Sequence, residues 1–175
     1  TEFQELSAKI LADDPAYGRL WLTVSDLVGE RQRRYDKAAD LAQKALETDP
    51  TDAVAYTTLG EALMNLGRTD EAEKAFNLGV EKSKRYSDVK RDNWLEALTA
   101  MRGFVLVQTP RFKVRMASRE AKVFEPYLLP LLEEAWETLA PKYGLALTPV
   151  VYVDAFHSAD DFSVRSVGVP GLPAL

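Results

Sequence analysis

The sequence repeats itself with a period near 34 residues, and no single motif constrains the fold as tightly. Ala38 and Ala72 are 34 residues apart, as are Ala45 and Gly79. Leu46-Glu47-Thr48-Asp49-Pro50 echoes Leu11-Ala12-Asp13-Asp14-Pro15, with the prolines 35 apart. A period of about 20–50 residues marks one supersecondary unit stacked on copies of itself, because no unit buries its apolar face alone. Within the period the apolar residues fall at helical spacing. Residues 56–80 carry Tyr56, Leu59, Gly60, Leu63, Leu66, Gly67, Ala72, Phe76, Gly79 and Val80. The preceding unit carries Trp21, Val24, Ser25, Val28, Ala38, Ala45, Leu46 and Pro50, with one extra residue near Arg31–Arg34. Ser25 and Gly60 stand where the first helix of a pair must approach the second, and Ala38 and Ala72 do the same from the other side. Larger residues there would push the helices apart. Pro50 ends a helix, since proline lacks the N–H and clashes with the preceding turn. Asp70, before Glu71-Ala72-Glu73, reads as an N-cap with acids in the first turn.

These offsets (aromatic, Leu-Gly, large apolar, small, aromatic, small, then proline) resemble the tetratricopeptide repeat. The resemblance covers about residues 2–84, and the first fifteen residues fit the second helix of an earlier unit that ends at Pro15. Lys84 stands where proline is usual, so the last repeat helix is expected to run on to Tyr86. A further helix over Asp88–Arg102, with Trp94, Ala97, Leu98 and Met101 at helical spacing, fits a helix that closes the stack.

The resemblance implies an inner groove lined by the first helix of each pair. By repeat position, Arg19, Leu22, Asp26, Glu30, Val54, Thr57, Glu61, Met64 and Asn65 face it, with Met64 as an adaptable contact. Repeats that grip chaperone C-terminal carboxylates use Lys and Asn at the inner positions. Here Leu22, Asp26, Thr57 and Glu61 stand there, so no such clamp is expected, and the groove should favour neutral or basic ligands. The alternative is that about two and a half repeats only pack against the next segment or an upstream array, since at least three are normally needed for a stable stack.

Proline placement divides the chain. Residues 1–107 hold two prolines and residues 108–175 hold seven. The expected division is 1–102, helical repeats with a closing helix, and 103–175, a small α+β segment. Phe104–Val107 is a short apolar run, and Phe112, Val114 and Met116 alternate with Lys113 and Arg115, the period of a half-buried strand. Together they predict a hairpin. Leu128, Leu132, Trp136, Leu139 and Tyr143 mark one helical face. Pro126 and Pro130 place the start of that regular helix near residue 126, and Gly144 fits its stop. Pro149–Val153 reads as a buried strand. Ser158-Ala159-Asp160-Asp161 resembles a capping box for a helix over about 159–166, and Gly168–Leu175 is loop. The fold class is therefore α+β: a helical-hairpin stack followed by a small mixed sheet with helices. The chain begins at Thr1 and ends in what reads as mid-loop at Leu175, so a truncated piece of a longer protein is expected.

The order strand, strand, helix, strand, short helix over residues 104–175, with Asp161-Phe162-Ser163-Val164-Arg165 and Gly168-Val169-Pro170-Gly171, resembles the opening half of a gluzincin-type zinc metallopeptidase domain. In that family the catalytic helix bears HExxH, which supplies two histidines as zinc ligands and a general-base glutamate. This chain has one histidine, His157, and no HExxH. No catalytic residue carries over. The resemblance implies only a buttressing role, with the catalytic helix beyond Leu175.

Other chemistry is constrained by what the chain lacks. No cysteine is present, which excludes a thiolate zinc site, a CxxC pair and a cysteine nucleophile without fixing the compartment. The formal net charge is −5, against the basic face of nucleic-acid modules. No run reaches the roughly 18 apolar residues of a membrane span. His157 beside Asp154, Ser158, Asp160 and Asp161 reads as a loop histidine among capping residues rather than a triad or metal ligand. Glu133-Glu134 and Asp160-Asp161 are adjacent and so do not share a helix face. The basic stretches Arg31–Arg34 and Lys82–Arg91 read as solvated linkers or helix ends.

The first expectation is a non-catalytic protein–protein interaction or scaffold module, with a protein or peptide in the groove, no cofactor, and an exposed sheet edge through which copies could pair. The alternative is the front portion of a repeat-fused zinc metallopeptidase, with zinc held only by the longer parent. The chain itself is predicted to bind no zinc and cleave nothing. Metal analysis and a peptide-cleavage assay check this, and stoichiometric zinc or chelator-sensitive cleavage would contradict it.

Overall fold

Two helical hairpins follow the repeat in a computed structural model that describes residues 2–14, 17–83, 87–145 and 150–171. The first pairs α2 (Arg19–Gln32) with α3 (Tyr35–Thr48), and the second pairs α4 (Ala53–Asn65) with α5 (Thr69–Lys82). They are preceded by α1 (Glu2–Asp13). Pro15, expected to end that helix, lies outside the described residues. The chain divides into two compact units, 1–92 and 93–175, and the division falls inside α6 (Val89–Met101).

Small residues set the helix spacing in the first unit. Gly60 on α4 lies against the fully buried Phe76 of α5, and a Cβ at Gly60 would sit 2.5 Å from the ring. Ser25 on α2 faces Ala38 on α3, and its hydroxyl donates to the Ala38 carbonyl at 2.8 Å, satisfying a buried polar group. Around these contacts Leu22, Ala45, Leu46 and Ala55 form one apolar cluster, and Ala38, Ala39 and Ala62 form another. Alanine dominates because the helices approach too closely for larger side chains.

The hairpin turns differ between the two repeats. α4 ends with Leu66 and then Gly67, whose φ of +73° is the left-handed conformation glycine adopts without cost. In the first repeat α2 is one residue longer, and the left-handed position falls to Arg33 at φ +55°. The extra residue inferred near Arg31–Arg34 is absorbed here. A non-glycine residue in this region costs about 1–2 kcal/mol; the Arg33 guanidinium donates to the Tyr35 hydroxyl at 2.9 Å.

Asp52 caps α4, accepting from the Val54 and Ala55 amides at 2.8 and 3.4 Å. Asp70, expected as a cap, lies inside the first turn of α5. The Arg68 carbonyl already accepts the Ala72 amide at 3.0 Å, so the helix begins two residues earlier than the acid predicts. α5 stops at Lys82 rather than running to Tyr86, with Ser83 as its C-cap; residues 84–86 lie outside the description. The first turn of α6 is tied back to the repeats. Asp88 accepts from the Lys90 and Arg91 amides and from the Thr57 hydroxyl at 3.0 Å. The buried Arg91 side chain lies beside Gly79.

In the second unit β1 (Phe104–Gln108), β2 (Phe112–Ala117) and β3 (Val151–Asp154) form a sheet in that order, so β1 and β3 are its edges. The β1–β2 hairpin is antiparallel, with Leu106 opposite Arg115, and β2–β3 is parallel, with Val114 opposite Val153. Phe112, Val114 and Met116 are buried beneath α7 (Ser118–Tyr143), and Phe112 meets Trp136 edge-on at 6.3 Å. Pro149, expected in β3, lies outside the described residues.

α7 starts at Ser118, not near 126. Arg119, Glu120, Ala121 and Lys122 are adequate helix formers, and Ala121 is buried against the β2 side chains, which fixes the first turns. Pro126, Pro130 and Pro141 all sit inside the helix. Pro126 and Pro130 are exposed, so water can reach the carbonyls that lack a donor. Leu128, Leu132 and Trp136 face the sheet as the spacing predicts. Leu139 and Tyr143 do not, being 43% and 64% exposed, and Ala140 takes the inward position instead. A stripe stepping by four drifts around a helix of 3.6 residues per turn. The turn between β1 and β2 is pinned to α7 because Glu133 accepts from the Thr109 hydroxyl and from Arg111 at 2.6 Å. These bonds, the Thr109 bond foremost, hold its carboxyl below the usual range.

α8 (Ala159–Val167) is capped by the Ser158 hydroxyl accepting from the Asp161 amide at 3.3 Å, and ends at Gly168. It is fastened to the sheet by Asp154. That carboxylate accepts Arg115 in a fork at 2.6 and 2.9 Å, and Arg165 of α8 at 2.8 Å. Asp154 is 5% exposed, so both bonds are charge-assisted in a largely desolvated place.

Gly60→Ala is expected to lose about 1–3 kcal/mol of stability in urea unfolding, because the buried Phe76 ring cannot move aside. Gly103→Ala, where nothing lies within 4 Å of the added Cβ, should change stability by less than about 0.5 kcal/mol. Equal losses at the two sites would contradict this packing account.

Candidate functional site

The nine residues expected on the inner groove fall into two groups. Leu22 and Met64 are buried at 7% and 0% exposure, Leu22 in the core cluster with Ala45, Leu46 and Ala55. They offer no surface to a ligand, so Met64 is not an adaptable contact. The reason is the close spacing set by Ser25 and Gly60, which draws these positions into the helix interface. Thr57 is also buried, and its hydroxyl bridges the Ala53 carbonyl and Asp88.

Arg19, Asp26, Glu30, Val54 and Asn65 are exposed, and Glu61 is partly buried. Asn65 donates to the Glu61 carbonyl at 2.9 Å, so its amide is turned onto its own helix. Asp26 and Glu30 lie one turn apart on α2, which puts both carboxylates on one face.

The charge that organises this face comes from α6. Lys90 reaches across to Glu61 at 2.8 Å and lies within the electrostatic reach of Asp26 and Glu30. Burial acts to lower its pKa, but the Glu61 hydrogen bond and the three negative charges outweigh that and raise it. Asp26 is shifted in the same direction. Partial burial raises its carboxyl pKa, Glu30 adds to the rise, and Lys90 opposes it. Sequence reasoning had assigned Lys90 to a solvated basic stretch. The signal that could have placed it is Asp88, an acid directly before the helix start, which fixes the direction of the first turn.

Among the described residues of that stretch, Arg91 and Lys82 also lie beside acids of the chain. Arg91 is buried with Asp92 3.6 Å away, and Lys82 lies 3.5 Å from Glu81. Lys84 and Arg85 fall outside the described residues. His157 is exposed, and Asp154 beside it in sequence is occupied by the two arginines. Among the described residues no group of three His, Cys, Asp or Glu side chains could hold a metal ion. Nor is any described helix long and apolar enough to cross a membrane.

Because Lys90 has a raised pKa in the fold, its stabilising contribution is fully present below the ordinary lysine value and is lost as pH rises through the folded one. Lys90→Met should remove that alkaline loss. It should also raise the Asp26 pKa further, since the opposing charge is gone. A carboxyl-detected NMR titration reads this directly, and an unchanged or lower Asp26 value would contradict the assigned network.

No curated protein matched the chain. Residues 31–91, from the end of α2 to the first turn of α6, match the family model described as Tetratricopeptide repeat, so the repeat reading of this helical stretch rests on sequence match and geometry together.

Proposed function

We propose that the helical hairpins serve protein–protein interaction and that the face shared by α2 and α4 receives a neutral or basic peptide. One observation supports this most. Asp26 and Glu30 are exposed carboxylates on one face, while Glu61 beside them is already held by Lys90. These two acids, which feel Lys90 only at longer range than Glu61 does, favour a ligand lysine or arginine. Val54, 55% exposed at the start of α4, adds apolar contact. Each exposed ion pair is worth only about 0.2–1 kcal/mol, so affinity requires both kinds of contact. A chaperone-type carboxylate clamp is disfavoured by Asp26 and Glu61 themselves. No catalytic step is assigned to the chain; zinc chemistry belongs only to the alternative of a longer peptidase.

Selection of displayed random peptides on the 175-residue chain tests the reading. Selected peptides should be enriched in Lys and Arg. Asp26→Lys with Glu30→Lys should weaken their binding by about tenfold or more with little change in thermal stability. Selection of acidic peptides, or binding indifferent to the reversal, would overturn it.

A further inference from the structure

One side chain on the α2/α4 face is supplied from outside the two hairpins. Lys90 sits in the first turn of α6, and its Nζ donates to Glu61 Oε2 at 2.8 Å. That turn is anchored on α4. Asp88 accepts from the Lys90 and Arg91 amides at 3.1 and 3.2 Å, and from the Thr57 hydroxyl at 3.0 Å. Thr57 and Glu61 are four residues apart, so the anchor and the acceptor lie one above the other on one face of α4. The backbone of the turn is thus fixed, while the ammonium is held at the end of a flexible stem.

The two partners of this ion pair are not equally committed. The Lys90 side chain is 49% exposed, and a strongly hydrated ammonium on four carbons swings back into water readily. Glu61 is only 19% exposed, so its carboxylate has less water to turn to once the cation leaves. Asp26 and Glu30 add to the attraction that Lys90 feels, and they act in the same way on any cation in its place.

We propose that Lys90 is the specificity-determining residue of this face, a built-in competitor whose ammonium holds the Glu61 position until a lysine or arginine of the peptide ligand displaces it. The inference rests on the α2/α4 face being the ligand site. It adds that the acidic face is not fully open in the free protein. A ligand cation exchanges with Lys90 at Glu61, whereas Asp26 and Glu30 accept without an exchange. Lys90 therefore lowers the affinity for every basic peptide and excludes those whose other contacts are too weak to drive the exchange.

Peptides displayed at random and selected in parallel on the full chain and on its Lys90→Met variant test this, with folding of each variant checked by circular dichroism. By fluorescence anisotropy, a selected basic peptide should bind Lys90→Met about fivefold more tightly than the unaltered chain, the fold-change of about 1 kcal/mol. Lys90→Met with Glu61→Gln should lose that gain, since the gain comes from one vacated carboxylate. In the unaltered chain, saturating peptide should move the Lys90 εCH2 NMR resonances to those of a solvated lysine. Recovery of basic peptides on Lys90→Met alone would also support the competitor. Equal or weaker binding by Lys90→Met, or Lys90 resonances unmoved at saturation, would overturn the proposal and leave the α2/α4 reading standing. A gain that survives Glu61→Gln would overturn it too, because it reports net charge alone. Recovery of no basic peptide on either chain would overturn both.

Discussion

The close approach of paired helices at Ser25–Ala38 and Gly60–Phe76 is the constraint from which the first unit follows. At Gly60 the backbone admits an aromatic ring where even a methyl group would collide. At Ser25 the same closeness turns a polar side chain into a cross-helix hydrogen bond. Helices this near leave room for alanine, hence the burial of Ala38, Ala39, Ala42, Ala45, Ala55, Ala62, Ala72 and Ala75. The arrangement also decides which surface remains for partners. Leu22 and Met64 are drawn inside, while Arg19, Asp26, Glu30, Val54 and Asn65 stay exposed and Glu61 partly so.

Electrostatics then link the end of the stack to its surface. Asp88 caps α6 with one oxygen and holds Thr57 of α4 with the other. That directs Lys90 onto Glu61, and its charge is shared with Asp26 and Glu30. The same principle recurs in the second unit, where Asp154 gathers Arg115 and Arg165 and thereby fixes α8 to the sheet. In both places one carboxylate serves two elements. Removing either carboxylate would free partners on two elements at once.

The fold was more legible in the sequence than the site. The period near 34 residues and the small residues at Ser25, Ala38, Gly60 and Ala72 gave the hairpins, because steric exclusion leaves a readable mark at each contact. The alternation Phe112–Met116 gave β2 for a similar reason. Local signals were weaker where tertiary packing competes with them. Pro126 suggested a late helix start, but burial of Ala121 carried α7 back to Ser118. Leu139 and Tyr143 matched a helical stripe, yet the stripe drifts out of the sheet's reach by that point. The candidate site depended on the Lys90–Glu61 ion pair and on its longer-range attraction to Asp26 and Glu30, which no local spacing encodes. Repeat position placed Leu22 and Met64 on a groove because it marks a helix face, not the depth at which neighbours enclose it.

Native-state hydrogen exchange on the full chain tests the central claim most directly, namely that the two hairpins and the first turn of α6 form one cooperative stack. The account predicts that protected amides of α2 to α5 open together as denaturant is added, and that the Lys90 and Arg91 amides follow them. Opening of α2–α3 separately from α4–α5, or exchange of Lys90 and Arg91 with residues 94–101 instead, would contradict it.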